Sequence, residues 1–326
     1  QGLLKPCNSP CNTPILGGQK PNGEWRLLQD LHLINEAVVP IHPVVLNPCI
    51  LLTQIPEGNK WFTVLDLKDA FFCIVLHPDS QYLFAFKDPA IRPVNMDAAQ
   101  GLRGSPHLDR HCQKTSLSSL ILKLGLAKVD DILLCVPTEE ASQEGTEALF
   151  NFSANRGHKV SKHNAQLCKT SVKYLDLVLS KGTRALGEER IKPISSFPLL
   201  QTLKKLRGFG GNTDFCRLWI PGYGEVARLL YNLMKETQGA NLSFNLEPET
   251  QKACDQLNQA LLKAPALSFP VGKAFNLYVS ERKGMVLGVL TQARGPVQQP
   301  VGYLSRNLIW WLKDGQPASE TLLQWL

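Results

Sequence analysis

Two adjacent aspartates lie inside an apolar, strand-like stretch of this chain, at Val129-Asp130-Asp131. The residues on either side, 124–128 and 132–136, are almost all apolar. Carboxylates in such surroundings lose solvation free energy, and a bound divalent cation is the commonest compensation. The pair therefore predicts a metal site at the tip of a hairpin.

A third carboxylate lies upstream, where the run Trp61-Phe62-Thr63-Val64-Leu65 ends on Asp66. Aromatic and β-branched residues in that run predict a strand. An Asp at the end of one strand and an Asp pair at a hairpin tip could meet and form the oxygen-rich cage that two Mg²⁺ ions require. That constellation fits phosphoryl transfer. Asp is also common at turns, so either element alone could be a turn, whereas the two together favour a site.

The bulk composition predicts a globular protein. A chain of 326 residues, 44% of them hydrophobic, can bury a large core and suggests two or more domains. No apolar stretch is long enough to span a bilayer, and no signal peptide pattern opens the chain. The nine cysteines are odd in number and scattered, so we expect reduced thiols and an intracellular, cytoplasmic protein. Cys7 and Cys11 could be half of a zinc site, but no second pair has matching spacing.

Positive charge is concentrated in one part of the sequence. Residues 151–210 contain 12 basic residues and 3 acidic ones, within a chain of net charge +7. A nucleic-acid backbone favours such an excess, because each neutralised phosphate releases a counterion. A solvated basic face is the alternative. The residues are Arg156, Lys159, Lys162, Lys169, Lys173, Lys181, Arg184, Arg190, Lys192, Lys204, Lys205 and Arg207, against Asp176, Glu188 and Glu189.

Periodicity and turn residues predict an α+β fold. The first sixty residues indicate irregular structure and short strands, with a turn at 17–23 between two of them. The further predicted elements are a strand, turn and strand over 61–86 with the turn at 77–80, the Asp-pair hairpin, a helix over 139–155, a strand over 172–179, a helical region from 203 punctuated at 220–223, a helix over 248–264, and strands over 275–279, 286–290 and 301–304.

Several sequence blocks, taken in order, resemble the reverse transcriptase region of the Pol polyprotein of gammaretrovirus-like endogenous retroviruses. They are residues 6–10, 12–14, 29–31, 35, 41–43, 64–72, 83–86, 100–101, 129–131, 206–209 and 215–221. The resemblance implies a right-hand polymerase fold, with fingers over 1–60, a palm with an interleaved fingers segment over 61–188, a thumb over 189–270, and the truncated start of an RNase H-like connection domain over 271–326. The RNase H carboxylates of that family would lie beyond Leu326, so we expect no hydrolysis of an RNA strand by this chain.

The resemblance also implies the roles of the carboxylates. In this family Asp66 and Asp130 would hold two Mg²⁺ ions, or Mn²⁺, and Asp131 would complete the set. One ion activates the primer 3′-hydroxyl and the other steadies the triphosphate leaving group. The implied partners are an RNA or DNA template with its primer and deoxynucleoside triphosphates, with no membrane.

A second group of residues matches the nucleotide-binding positions of the family. Lys20 and Arg26 would grip the incoming triphosphate, and Phe71 would block a ribose 2′-hydroxyl. Gln100 would lie beneath the nucleotide, with Asp69 and Ala70 beside it. Phe71 could equally be a core residue, and Lys20 and Arg26 could be solvated loop charges.

Departures from the family pattern suggest a degenerate copy. Lys128 replaces an aromatic residue, and we expect its charge to compete with Mg²⁺ for the carboxylates. The segment 87–99 is shortened and scrambled, with Ala99 in place of a proline, and Leu102 replaces an aromatic residue. Asp176 replaces a glycine, so we expect a clash or a lost close approach there.

Three functions follow from the sequence. The first is RNA-directed DNA synthesis. The second is an inactive remnant that still binds nucleic acid through its thumb and basic face. The third is a phosphatase with Asp66 as nucleophile, although the second Asp of that pattern is replaced by Lys68.

Overall fold

The computed structural model describes residues 4–19, 23, 25–39, 52–68, 77–87, 94–96, 125–128, 131–155, 157–197, 202–236, 247–270, 272 and 274–307. The chain divides into two compact units. The first comprises residues 1–47 and 61–169, and the second comprises residues 48–60 and 170–326.

The amino-terminal part of the first unit contains short strands, as predicted. Strand β1 (Leu4–Pro6) belongs to a different sheet from β2 (Ile15–Gln19) and β3 (Trp25–Gln29), which form a hairpin. The predicted pair of strands is confirmed, but the predicted bounds of the turn, 17–23, are wrong, because residues 17–19 belong to β2. The helix α1 (His32–Ala37) follows, and its Ile34 packs with Leu31 and Phe84.

The predicted strand-turn-strand over 61–86 is only partly right. Strand β4 (Trp61–Lys68) is present, but the turn residues at 77–80 begin a short helix, α2 (Pro78–Gln81), which continues into a 3-10 turn over Tyr82–Phe84. The ring of His77 accepts from the N–H of Asp79 and caps this helix, and Pro78 suits its first turn. Strands β5 (Ala85–Phe86) and β6 (Val94–Met96) then complete the sheet of β1, in the order β1-β6-β5.

A five-stranded antiparallel sheet is the centre of the first unit. Its order is β10-β4-β8-β7, and β9 pairs with the same edge of β4 as β10 does. The bounds are β7 (Gly125–Lys128), β8 (Asp131–Val136), β9 (Lys159–Val160) and β10 (Gln166–Lys169).

One face of that sheet is covered by the helix α3 (Glu139–Asn155), whose predicted bounds are confirmed. Its Leu149 packs with the strand residues Leu65, Leu67 and Ile132 in a buried cluster. A buried Thr63–Thr146 hydroxyl contact of 2.8 Å also joins the helix to β4. The side chains on the other face of β4 and β8 therefore point away from α3.

The second unit begins with an antiparallel four-stranded sheet in the order β11-β12-β13-β14. In the helical part of this unit, Trp219 and Phe209 are almost fully buried. The bounds are β11 (Ser171–Tyr174), β12 (Leu177–Ser180), β13 (Thr183–Leu186), α4 (Glu188–Ser195), α5 (Leu203–Phe215), a 3-10 turn over Arg217–Trp219, α6 (Tyr223–Glu236), α7 (Pro248–Leu262) and β14 (Leu267–Ser268). The helices predicted from 203 and from 248 are confirmed.

The three strands predicted after residue 270 are confirmed, and each is longer than its sequence signal. They form a three-stranded antiparallel sheet. They are β15 (Asn276–Arg282), β16 (Met285–Arg294) and β17 (Val297–Asn307). The start of α6 docks on this sheet, because the N–H of Gly224 donates to Ser305 Oγ at 2.8 Å. Glu225 lies 3.7 Å from Arg282 and 3.5 Å from Lys283.

The predicted single strand over 172–179 is wrong. Residues 171–180 form a hairpin, because Leu175 and Asp176 both take left-handed backbone conformations, with φ of 51° and 64°. Two consecutive residues with positive φ make the two-residue turn whose twist matches paired strands. The sequence hid this turn, because neither residue is glycine or asparagine.

The expected clash at Asp176 is also wrong. A glycine suits this position because of the positive φ, and Asp tolerates that conformation better than most residues. The side chain of Asp176 is exposed and lies 3.6 Å from Arg190, while its carbonyl accepts from the N–H of Gly187 at 3.0 Å. The substitution is therefore accommodated locally.

Among the described segments, none of the helices combines the length and the apolar character needed to cross a membrane. The six described cysteines, at positions 7, 11, 135, 168, 216 and 254, are free thiols. Burial raises the pKa of Cys254 to about 11, so its thiol stays protonated at neutral pH.

Candidate active site

Asp66 and Asp131 lie directly opposite each other on neighbouring strands. They are register partners in the antiparallel β4–β8 pair, so their side chains project from the same face of the sheet. Both residues are partly exposed. The next pair, Leu65 and Ile132, points to the other face and packs with α3. The fold thus brings together two carboxylates that are 65 positions apart in the sequence.

The predicted hairpin around the Asp pair is confirmed. Strands β7 and β8 are antiparallel, with Lys128 as the register partner of Asp131. Positions 128, 131 and 66 therefore form one row across three strands. Asp130, the second predicted metal ligand, lies outside the described residues, so its place in the site stays a prediction.

Asp66 is not at the end of its strand, in contrast to the sequence prediction. Strand β4 continues through Leu67 and Lys68, which pair with Val160 and Lys159 of β9. The strand signal was misread because a charged residue interrupts the apolar run. Strand β9 ends at Val160, opposite Leu67, and residues 161–165 separate it from β10.

One residue that bonds to Asp66 was missed by sequence reasoning. The side-chain amide of Asn164 donates to Asp66 Oδ2 at 2.7 Å. From the same segment, the N–H of Ser161 donates to the carbonyl of Asp66 at 2.9 Å. The sequence gives no signal for these contacts, because the two segments lie almost a hundred residues apart.

Within the described residues, the side chains at this site supply only part of the ligand set that a hard divalent cation needs. Carboxylate oxygens are the ligands that Mg²⁺ and Mn²⁺ prefer, and Mg²⁺ is commonly held by one or two carboxylates together with substrate phosphates. Asp66 and Asp131 supply two carboxylates. No group of three or more His, Cys, Asp or Glu side chains in the described segments could hold a metal ion.

The predicted nucleotide-binding residues fall mostly outside the described part of the chain. Lys20, Asp69, Ala70, Phe71 and Gln100 all lie outside it. Arg26 lies on β3, with Gly18 as its register partner on β2. The roles of these six residues stay predictions.

Within the basic stretch, the structure separates structural cations from exposed ones. Arg184 is buried, donates to the carbonyl of Val301 at 3.1 Å and lies over the ring of Trp219. Arg190 lies 4.3 Å from the centre of the Phe215 ring. Burial takes the guanidinium of Arg184 away from a phosphate backbone, so the prediction that the whole stretch is a binding face is wrong for Arg184. Arg190 is partly exposed, and its role stays a prediction.

The three acids of the stretch are each close to one of its cations. Lys173 lies 2.6 Å from Glu189 and Lys192 lies 2.8 Å from Glu188, in addition to the Arg190–Asp176 contact. The hydrogen bond and charge of Lys192 lower the pKa of Glu188. The remaining exposed cations include Lys159, Lys162 and Lys169 in the first unit and Lys181, Lys204 and Arg207 in the second.

Part of the chain also matches a known protein family. Residues 18–179 match the family described as reverse transcriptase (RNA-dependent DNA polymerase), and this range includes both carboxylate strands. About half of the chain thus matches the reverse transcriptase family.

The relatives of this chain are retroviral polyproteins. It is 43% identical over 323 residues to the Gag-Pol polyprotein of baboon endogenous virus (strain M7), covering 94% of the chain and 18% of that protein. It is 42% identical to the Pol polyprotein of feline endogenous virus ECE1, covering 94% of the chain and 30% of that protein. The chain thus spans less than a third of these curated relatives. The resemblance to endogenous retroviral Pol is confirmed.

Solved structures confirm the α+β polymerase fold. The foamy viral protease-reverse transcriptase in complex with double-stranded DNA matches with a TM-score of 0.84 and 24% identity, over 94% of this chain and 53% of that one. The same foamy viral protein in complex with an RNA/DNA hybrid matches with a TM-score of 0.80 and 24% identity, over 94% of this chain and 41% of that one.

Proposed function

We propose that this chain is the polymerase portion of a retroviral Pol protein and that it extends a primer 3′-hydroxyl with deoxynucleotides on an RNA template. The observation that carries the proposal is the register pairing of Asp66 with Asp131 on one sheet face, in a chain about half of which matches the reverse transcriptase family. Two carboxylates placed side by side repel each other unless a cation lies between them, so their alignment favours a metal-dependent reaction.

In the proposed reaction, Asp66, Asp131 and Asp130 would hold two Mg²⁺ ions. When bound, these ions lower the pKa of the primer hydroxyl and stabilise charge on the phosphoryl oxygens. The protein positions the reacting groups for in-line displacement. Lys20 and Arg26 would neutralise the triphosphate, Phe71 would exclude a ribose 2′-hydroxyl, and Gln100, with Asp69 and Ala70, would support the nucleotide.

The proposed partners are a primer–template and deoxynucleoside triphosphates. Support comes from the foamy viral neighbours, which are complexes with double-stranded DNA and with an RNA/DNA hybrid. The exposed lysines and arginines of both units suit the sequence-independent attraction of a phosphate backbone. Within this proposal, the fingers, palm, thumb and connection segments have the bounds given by the sequence resemblance, and the protein acts in the cytoplasm.

Primer extension on an RNA template with Mg²⁺ tests the proposal. We expect the wild-type chain to extend the primer, and Asp66→Asn, Asp130→Asn and Asp131→Asn to reduce extension to background. Glu140→Gln is the matched control, because it changes the net charge equally at an exposed position of α3. Extension that survives Asp66→Asn and Asp131→Asn would place the active site elsewhere.

A second candidate is an inactive remnant that still binds nucleic acid. The observation that favours it is Lys128, the register partner of Asp131 at a position where the family has an aromatic residue. This candidate requires salt-sensitive binding of primer–template with no extension in Mg²⁺ or Mn²⁺. The phosphatase alternative loses its basis, because about half of the chain matches a polymerase family and Lys68 replaces the second Asp.

A further inference from the structure

The edge of β4 that faces away from β8 is paired on both sides of Asp66 but interrupted beside it. Leu67 and Lys68 pair with β9, and Val64 pairs with Gln166 of β10. Five residues, 161–165, therefore lie opposite only two residues of β4, Leu65 and Asp66. Such a bulge commonly redirects a side chain or ends pairing next to a functional site.

The bulge holds its shape through its own backbone. The N–H of Ala165 donates to the carbonyl of Ser161 at 3.1 Å, and the N–H of Ser161 donates to the carbonyl of Asp66 at 2.9 Å. The side chain of Asn164 contributes to neither bond, and the residue is exposed. Its 2.7 Å bond to Asp66 Oδ2 is thus not needed to satisfy a buried group or to close the bulge.

We propose that Asn164 is a positioning residue for the metal-binding carboxylate of Asp66. The amide bond to Oδ2 fixes the rotation of the carboxylate and leaves Oδ1 to face a cation held jointly with Asp131. This inference rests on the proposed function, because it assumes that Asp66 binds the metal. Hydrogen-bonding partners of this kind orient ligating carboxylates and typically change metal affinity by about 10- to 100-fold.

The chemistry of the side chain supports the assignment. An amide donates a hydrogen bond without neutralising the carboxylate, whereas a cation at the same place would compete with the metal. The bulge does contain two cationic or titratable side chains, Lys162 and His163, both exposed. The bond to the carboxylate of Asp66 that the structure shows comes from the neutral Asn164.

Mn²⁺ binding to the purified chain, measured from the electron paramagnetic resonance signal of free Mn²⁺, tests the inference without relying on activity. We expect Asn164→Leu and Asn164→Ser to bind Mn²⁺ about 10- to 100-fold more weakly than wild type. We expect His163→Gln, a change in the same bulge outside these hydrogen bonds, to bind like wild type. Thermal unfolding should be nearly unchanged in all three, because both positions are exposed.

The outcomes separate this inference from the proposed function. If wild type binds no Mn²⁺, or if Asp66→Asn binds Mn²⁺ as tightly as wild type, the metal site itself is refuted. If Asp66→Asn removes the binding but both Asn164 variants keep wild-type affinity, the positioning role alone is refuted. Loss of affinity in His163→Gln equal to that in the Asn164 variants would also refute it, because the effect would then belong to the bulge as a whole.

Discussion

At the scale of single residues, the pairing of Asp66 with Asp131 has an expected cost in stability. Like charges directly opposite on neighbouring strands are destabilising, typically by about 0.2–1 kcal/mol. Asp66→Asn removes one charge and keeps an oxygen that can accept from Asn164. We therefore expect this variant to raise the free energy of unfolding by about 0.5 kcal/mol in the presence of a chelator.

Urea denaturation with chelator and again with Mg²⁺ measures this effect. Added Mg²⁺ should stabilise wild type and leave Asp66→Asn unchanged, because a ligand stabilises only the state that binds it. Glu140→Gln serves as the charge control. A lower stability of Asp66→Asn in chelator would contradict the idea that the two carboxylates repel each other.

Lys128 gives the second prediction at this scale. Position 128 is in register with Asp131, so we expect a positive charge at this position to offset part of the attraction between the carboxylates and a divalent cation. We expect Lys128→Tyr to bind Mg²⁺ several-fold more tightly by isothermal titration calorimetry. Lys252→Tyr, an exposed change on α7, is the control for loss of one charge. Equal affinities of Lys128→Tyr and wild type would remove Lys128 as a cause of weakened metal binding.

At the scale of elements, the hairpin of β11 and β12 depends on its two-residue turn. A β-branched residue in the left-handed region costs roughly 1–2 kcal/mol, whereas glycine adopts it freely. We therefore expect Asp176→Val to lower the free energy of unfolding by about 1–2 kcal/mol. Asp176→Gly should stay within about 0.5 kcal/mol of wild type, because relief of the backbone offsets the loss of a half-exposed ion pair with Arg190.

Denaturant unfolding of the two variants decides the point. Equal destabilisation by glycine and valine would show that the carboxylate of Asp176, rather than its backbone conformation, maintains the turn. A stable valine variant would contradict the role of positive φ.

The elements that the sequence predicts well are those with a long periodic pattern. The helix α3 has its predicted bounds, since it begins with Glu139 and Glu140 after Thr138, whose hydroxyl accepts from the N–H of Ala141. The pairing around the Asp pair was predictable because two apolar runs flank a short polar connection. The hairpin turn at Leu175 and Asp176 was not, because its residues lack the usual glycine or asparagine signal.

Long-range contacts of the site were beyond sequence reasoning. The carboxylates of Asp66 and Asp131 could be expected to meet, because each follows a strand pattern. The bond from Asn164 depends on a bulge whose position is set by two separate pairings of β4, and no local pattern encodes it. The same holds for Arg184, which looks like a surface cation in the sequence and is buried against Trp219.

At the scale of the whole molecule, charge rather than shape governs the expected attraction to nucleic acid. The chain carries a net charge of +7, and both units expose lysines or arginines other than the buried Arg184 and the stacked Arg190. If about four phosphates are neutralised, affinity should fall on the order of 100-fold between 50 and 200 mM salt. Fluorescence anisotropy of a labelled primer–template measures this dependence.

Lys204 and Arg207 offer the sharpest test of where that charge acts in the second unit. Both are exposed and lie three residues apart on α5, so they occupy neighbouring positions on one helix face. We expect the double variant Lys204→Gln/Arg207→Gln to reduce the slope of log affinity against log salt by about 2, and Lys252→Gln on α7 to leave it unchanged. An unchanged slope in the double variant would exclude α5 from the nucleic-acid interface. We expect Asp66→Asn to keep the wild-type slope. If the wild-type chain binds primer–template but does not extend the primer, the chain is an inactive remnant. If it extends the primer, it is a working polymerase.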